Sequence, residues 1–410
     1  MTALTPGDPA PWFTLPSTSN PNYHFDTVGG YRVILFFFGS TKVEAVNRAV
    51  QSFCEMQPAL TSAQIPFFGI SIDPDDRGLA DQVSSATFCK FLWDFDQTVS
   101  RQYGVCSSPT AEAGEFSPTA FVLDENLHIL QVFPFDGSAD YPNRVFNYVA
   151  ELPPQEPPVL AVRQAPVLLI PRVLPPEFCQ SLIELHQASG ARDSGFMRDV
   201  DGKTVEILDP SFKKRRDINL ADTPLRETMN QIVLRRIKPE IEKAFQFSIT
   251  RFERHIVACY DAANQGFFNR HRDNTTKGTA HRRFAMTLNL NTGAYEGGCL
   301  RFPEYGTRLY RPEVGEAVIF SCSLLHEVTP VTQGERYALL SFFYGDEDAL
   351  VRERNRQFLA KPEANSASAN SSFKGEAAIP TAIPTAIPTA KPGFQPAASK
   401  PRSKSAKKRR

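Results

Sequence analysis

His271-Arg272-Asp273-Asn274, then Phe284-Ala285-Met286-Thr287-Leu288-Asn289-Leu290, then His326-Glu327-Val328-Thr329 are the stretches on which the reading of this 410-residue chain turns. On a strand, residues i and i+2 point to the same side, so His271 and Asp273 can address one centre. A third donor, His326, must then come from another strand of the same barrel. Two neutral imidazoles and one carboxylate are the donor set of a non-haem ferrous centre with positions left open for a co-substrate and O2. An isolated His-x-Asp pair is a weak signal in a chain with seven histidines. Its surroundings strengthen it. Residues 256–260, 284–290 and 317–320 read as strands, and Gly297, Gly298, Gly306, Gly315 and Gly334 punctuate turns, as an antiparallel jelly roll requires. Alternation along 284–290 puts Phe284, Met286, Leu288 and Leu290 on one face. Ala285, Thr287 and Asn289 fall on the other, which is small and polar and suits a pocket lining.

Outward from this region the chain changes character. Pro153, Pro154, Pro157, Pro158 and Pro166 mark a stiff stretch where neither helix nor central strand persists. The expected organisation is therefore residues 1–152 as a first domain, 153–167 as a linker, and 168–350 as the jelly-roll domain. Residues 351–363 trail, and 364–410 form a Pro/Ala-rich, basic tail read as disordered. In the first domain, 32–38 is a continuous apolar run typical of a strand buried on both faces. A helical pattern spans 43–62, a second strand 66–72, and 120–124 with 128–133 reads as a hairpin. Strand–helix–strand followed by an antiparallel pair predicts a thioredoxin-like α/β sandwich, so the whole chain is read as multidomain α+β.

The formal charge of zero conceals an asymmetry, because residues 374–410 carry nine Lys/Arg against one Glu, leaving 36 against 44 in the first 373. Seven of the positive charges fall in the last eleven residues, a pattern that suits an arm for nucleic acid or ribosome, or a solubilising terminus. The opening residues show no basic and apolar leader, and no apolar run approaches a membrane span, so a cytoplasmic protein is expected, or a nuclear one in a cell with a nucleus. The seven cysteines are scattered and never spaced C-x-x-C, which argues against a disulfide framework or structural zinc and for reduced thiols.

Residues 259–260, 271–274, 295–302, 315–320, 326–331 and 334–337 closely resemble the prolyl 4-hydroxylase-type family of Fe(II)/2-oxoglutarate dioxygenases. The likeness covers about residues 168–350, including an entry strand and helix near 170–187. It implies Fe(II) ligation by His271, Asp273 and His326, and pairing of Arg336, ten positions beyond His326, with the distal carboxylate of 2-oxoglutarate. Arg suits that task independently, because its planar fork can meet a carboxylate bidentately. Tyr260, Asn289 and Thr287 fall where polar contacts to the co-substrate are expected. The implied activity is hydroxylation of a C–H bond, in a prolyl or other residue of a protein or peptide, with O2 as co-substrate and ascorbate as reductant. A non-catalytic iron/2-oxoglutarate sensor or scaffold is the alternative. His255 beside Arg254, and His281 with Arg282 and Arg283, are read as solvated or structural, with the edge of a substrate groove as the other reading of either pair. Arg215 and Arg216, in the run 213–217, either guide an anionic substrate or form a solvated face.

The first domain resembles a peroxiredoxin of the AhpC/TSA type in residues 7–11, 13–15, 33–38, 71–73, 101–105 and 118–124. A peroxiredoxin needs a thiolate at the start of the helix after its first long strand, where the helix dipole lowers its pKa. Residues 39–47 contain no cysteine. Cys54, about three turns further on, is read as buried, so a redox-inactive scaffold or dimerisation module is expected, with a Cys54-based thiol peroxidase as the other reading.

Overall fold

The computed structural model describes residues 3–82, 88–106, 116–220 and 224–360. The basic tail, and every expectation placed on it, lies outside these residues.

The 33–38 apolar run is the middle of a five-stranded mixed sheet. Val33–Gly39 pairs in parallel with Phe67–Ser71, which pairs in parallel with Cys89–Trp93; on its other side it pairs antiparallel with Thr119–Leu123, which forms a hairpin with Ile129–Pro134. All seven residues of Val33–Gly39 are buried, as an unbroken apolar strand demands when both sheet faces are covered. Glu44–Glu55 and Tyr141–Ala150 cover one face through Val46, Val50, Phe53, Tyr141 and Val145. The helix expected over 43–62 is two, Glu44–Glu55 and Gln57–Ser62, with Pro58 in the first turn of the second. Proline has no N–H to donate into a continuing helix, but it is tolerated at a helix start.

Beyond the proline-rich stretch two antiparallel sheets face each other. The larger runs Val167–Ile170, Ala317–Ser321, Phe284–Asn289, Val331–Tyr344, Arg251–Asp261, Arg216–Asn219 and Arg192–Asp193 in spatial order. The smaller runs Lys213–Lys214, Phe267–His271, His326–Val328, Leu300–Arg301 and Leu309–Tyr310. This is a jelly roll. The alternation read in 284–290 divides as expected: Phe284, Met286, Leu288 and Leu290 join a core under the helices Pro176–Ala188 and Pro224–Ile232, while Ala285 faces the core between the sheets.

The two folded parts meet through buried charge. Arg236, 2% exposed, has five N–H groups and five acceptors: Asp8 Oδ1 (2.9 Å), Thr5 Oγ1 (3.0 Å), and the carbonyls of Pro6 (3.0 Å), Arg172 (3.3 Å) and Val173 (2.9 Å). Gly7 is required there, with φ +90° and a Cβ position only 2.3 Å from the Arg172 carbonyl. His128 Nε2 adds a contact to Glu240 Oε1 at 3.0 Å. Among the described residues no helix is long and apolar enough to cross a membrane, and all seven cysteines are free thiols.

Candidate active site

His271 ends the Phe267–His271 strand and stands directly opposite His326, at the start of His326–Val328, in the antiparallel register. A bulge between Phe268 and His271 re-aims the strand end, and the Asp273 N–H donates to the Cys322 carbonyl at 2.9 Å. These local features bring together donors separated by 52 intervening residues, from Asp273 to His326: one ligand atom each from His271, Asp273 and His326 lie within 4.8 Å of one another. His271 Nδ1–H donates to the Asn269 carbonyl (2.7 Å) and His326 Nδ1–H to the Leu324 carbonyl (3.0 Å). Each ring therefore presents an Nε2 lone pair, and both lone pairs face Asp273, at 3.5 Å from Oδ1 and 3.4 Å from Oδ2.

Acceptors aimed at acceptors repel unless a cation sits among them, so the donor set fits a divalent metal. Burial pushes the His326 imidazole down to about 4, against the opposing pull of Asp273, so it is neutral and available for ligation near pH 7. Burial works against the Asp273 charge, and positive charge at the two ring positions, followed by Arg282, holds the carboxyl well below the usual carboxylate range; with the rings neutral, a bound cation would exert that pull. The rings are fixed by packing: Phe268 stacks on His271 with centroids 3.6 Å apart, and Phe320 lies edge-on to His326 at 4.7 Å.

The three donors open onto a cavity of about 660 Å³, whose lining includes Tyr260, Ala285, Thr287 and Arg336. Arg336 is 2% exposed and has no carboxylate within ion-pair distance among the described residues. Its guanidinium donates to Asn289 Oδ1 at 2.9 Å and Thr287 Oγ1 at 3.2 Å, and lies 5.2 Å from the centroid of Tyr260, its cross-strand partner. A buried guanidinium with neutral partners only is a socket for an anion, because the low dielectric leaves its charge unbalanced. Asn289 departs from the expected role. Its amide Nδ2 donates to Tyr295 Oη (2.7 Å), Thr292 Oγ1 (3.0 Å) and the Pro312 carbonyl (3.2 Å), and it does not line the cavity. What it does contact is Arg336, through its Oδ1.

Cationic residues beyond the metal and co-substrate set also face the cavity, among them Arg215, Arg254 and Arg282, which the sequence offered as possible substrate contacts. Lys213 lines it as well. Arg215 is clamped bidentately by Asp217 (2.6 and 2.5 Å) and Arg282 by Glu253 (both 2.6 Å), whereas Arg216 turns away toward Glu335. In a run of five charged residues only strand alternation hints that 213, 215 and 217 share one side.

In the first part of the chain, the turn before Glu44–Glu55 holds hydroxyls and carboxylates. Ser40 Oγ donates to Asp73 Oδ2 (2.7 Å), Ser71 Oγ to Asp76 Oδ2 (2.5 Å), and Lys42 pairs with Asp73 and Asp75. Cys54 is half-buried in the helix and hydrogen-bonded to the buried Cys89 thiol, whose pKa that contact and burial push well up.

A jelly roll carrying two imidazoles and a carboxylate beside a buried guanidinium defines a class, the mononuclear metal oxygenases that take an acidic co-substrate. Comparison with known proteins agrees. Residues 255–344 match the 2OG-Fe(II) oxygenase superfamily and residues 6–132 the AhpC/TSA family. A PKHD-type hydroxylase of Shewanella oneidensis is 30% identical over 171 residues, 39% of this chain and 71% of that protein. Another from Pseudomonas fluorescens is 35% identical over 112 residues, 25% of this chain and 47% of its own length, so the chain spans about half of that relative. A Coxiella burnetii protein described as a peroxiredoxin is 28% identical over 131 residues, 31% of this chain and 87% of that protein. The chain belongs to the 2OG-Fe(II) oxygenase superfamily, with an AhpC/TSA module preceding its oxygenase domain.

Proposed function

We propose that the chain is an Fe(II)- and 2-oxoglutarate-dependent dioxygenase that hydroxylates a C–H bond in a prolyl or other residue of a protein or peptide. One observation carries this reading: Nε2 of both rings converges on the Asp273 carboxylate in the same cavity that is lined by the buried Arg336, whose side-chain hydrogen-bond partners among the described residues are the neutral Thr287 and Asn289. His271, Asp273 and His326 would hold the iron, which together with 2-oxoglutarate and O2 supplies the oxidising power for an unactivated C–H bond. Arg336 binds the far carboxylate of the co-substrate, Thr287 and Asn289 keep its fork in plane, and the Tyr260 ring covers its side. Phe268 and Phe320 keep the imidazoles from turning and exclude water from their flanks. Ascorbate is assigned as the reductant that keeps such a centre ferrous. The AhpC/TSA module is proposed as a scaffold without peroxidatic thiol, since hydroxyls and carboxylates occupy the turn before its first helix.

The test is anaerobic titration of the full chain with Fe(II) and 2-oxoglutarate, followed by admission of O2. A weak visible charge-transfer band, then succinate release coupled to a product containing one added oxygen atom, is expected. Asp273→Ala should abolish band and product together. Binding without coupled succinate release would instead indicate a sensor, and an Asp273→Ala protein with full turnover would remove the assignment.

A further inference from the structure

Lys213 is the feature of this cavity that the proposed chemistry leaves unused. The side chain is 6% exposed, and its ammonium makes one hydrogen bond, to the Gly195 carbonyl at 2.5 Å. No carboxylate lies within 4.0 Å of it among the described residues. The nearby acids are otherwise engaged: Asp217 is clamped by Arg215, and Glu206 accepts the Gly195 N–H at 2.8 Å. Burial, and next the Arg215 charge, lower the Lys213 ammonium to about 6. An ammonium placed this way gains its charge fully only when an anion arrives.

A second cation lines the same cavity with an incomplete partner. Among the described residues Arg254 reaches a carboxylate only at Glu253, at 3.7 Å, and that carboxylate is already held by Nε and Nη2 of Arg282 and lies 3.2 Å from His281. Arg254 lines the cavity with Lys213 and its charge acts on the Lys213 ammonium; the position of Lys213 relative to the metal ligands is set by aromatic rings. Lys213 Nζ lies 5.0 Å from the centroid of Phe268, the ring that stacks on His271. Arg215 lies over the Tyr260 ring at 5.7 Å and Arg336 over that ring at 5.2 Å. The cavity thus has two cationic centres, one at Arg336 and one at Lys213 and Arg254, with the metal donors opening onto the same space.

We infer that Lys213 and Arg254 form a second anion subsite, which selects a substrate bearing a carboxylate close to the carbon that is hydroxylated. This rests on the oxygenase reading above and adds the substrate class to it. Carboxylate recognition is the shared chemistry; an acidic residue next to the target in a peptide, or a small free acid, would each supply it.

The experiment uses the full chain loaded anaerobically with Fe(II) and 2-oxoglutarate, so that Arg336 is already occupied, and calorimetric titration with three probes. These are acetyl-aspartyl-prolinamide, its asparaginyl isostere, and free acetyl-aspartate. The aspartyl peptide should bind about tenfold or more tightly than the asparaginyl one, the difference expected from a hydrogen bond to a charged group. Lys213→Met and Arg254→Gln should each erase most of that preference while leaving the 2-oxoglutarate charge-transfer band unchanged. Arg254 is 44% exposed in its side chain, so its replacement keeps the test valid should Lys213→Met fail to fold. Acetyl-aspartate binding as tightly as the peptide would make a small acid the source of the carboxylate; weaker binding would make it a peptide. Equal binding of the two peptides, no binding of either aspartyl probe, or a preference that survives both substitutions overturns the subsite. A wild-type protein without the charge-transfer band overturns the oxygenase reading instead, and the peptide preference can then be titrated without metal.

Discussion

Replacing Asp8 by Ala tests whether the two folded parts behave as one body. The Asp8 carboxylate, 0% exposed, accepts from Thr5 N (2.7 Å), Thr5 Oγ1 (2.8 Å), Arg235 Nη2 (2.6 Å) and Arg236 Nε (2.9 Å). Its removal leaves the 2%-exposed Arg236 buried beside four neutral acceptors with no counter-charge. Breaking a buried pair from one side costs about 3–5 kcal/mol, because the remaining charge stays desolvated. Chemical denaturation followed by fluorescence should therefore show a loss of that size, and hydrogen exchange should show faster opening at the helical turn Val233–Ile237, which carries Arg236, and at residues 5–8. The metal donors come from other strands, so iron binding should persist wherever the protein remains folded. Lys42→Ala, which removes two ion pairs from a 64%-exposed side chain, is the control and should leave the unfolding midpoint close to wild type. An Asp8→Ala protein within 1 kcal/mol of wild type, by the same reasoning, would refute the claim that this carboxylate carries the interface.

Arg336→Met should raise the 2-oxoglutarate concentration for half-maximal succinate release at least about tenfold, from loss of a charge-assisted hydrogen bond, while Fe(II) binding measured alone stays intact. The buried His255 gives a pH signature: burial lowers its pKa to about 4, whereas the unfolded chain should titrate near 6.5. Its contribution is complete above about pH 6.5 and is lost as the pH falls toward 4, by up to about 1.4 kcal/mol per pH unit. His255→Gln should flatten the acid limb of the stability curve by about one proton's worth; an unchanged slope would show that another group causes it.

Much of this protein can be read from local pattern. The unbroken 33–38 run, the two-residue alternation of 284–290 and the glycines at turns report burial and direction through rules that act within a few residues. The pair His271 and Asp273 is legible for the same reason. The split of the 43–62 helix was also local, since Pro58 stands in view, but helical periodicity continued through it and masked the break. Charge was the harder case. The run 213–217 has the composition of a solvated face, yet Lys213 is 6% exposed and Asp217 neutralises Arg215 inside the cavity. Of the two alternatives read for His255 and His281, solvated or structural, burial selects the structural one.

What the chain order alone could establish was which residues alternate, where strands must stop, and that a metal donor pair exists at 271 and 273. That His326 completes the pair was already implied by the family resemblance; what brings it there, and which cations stay unmatched, depended on the folded arrangement. The cross-strand register places His326 opposite His271 and Arg336 opposite Tyr260, and Asn289 contacts Arg336 instead of lining the cavity. The physical reason is one of range: side-chain direction follows from neighbouring backbone dihedrals, whereas electrostatic balance depends on every charge within several ångströms, and those charges are contributed by strands far apart in the chain.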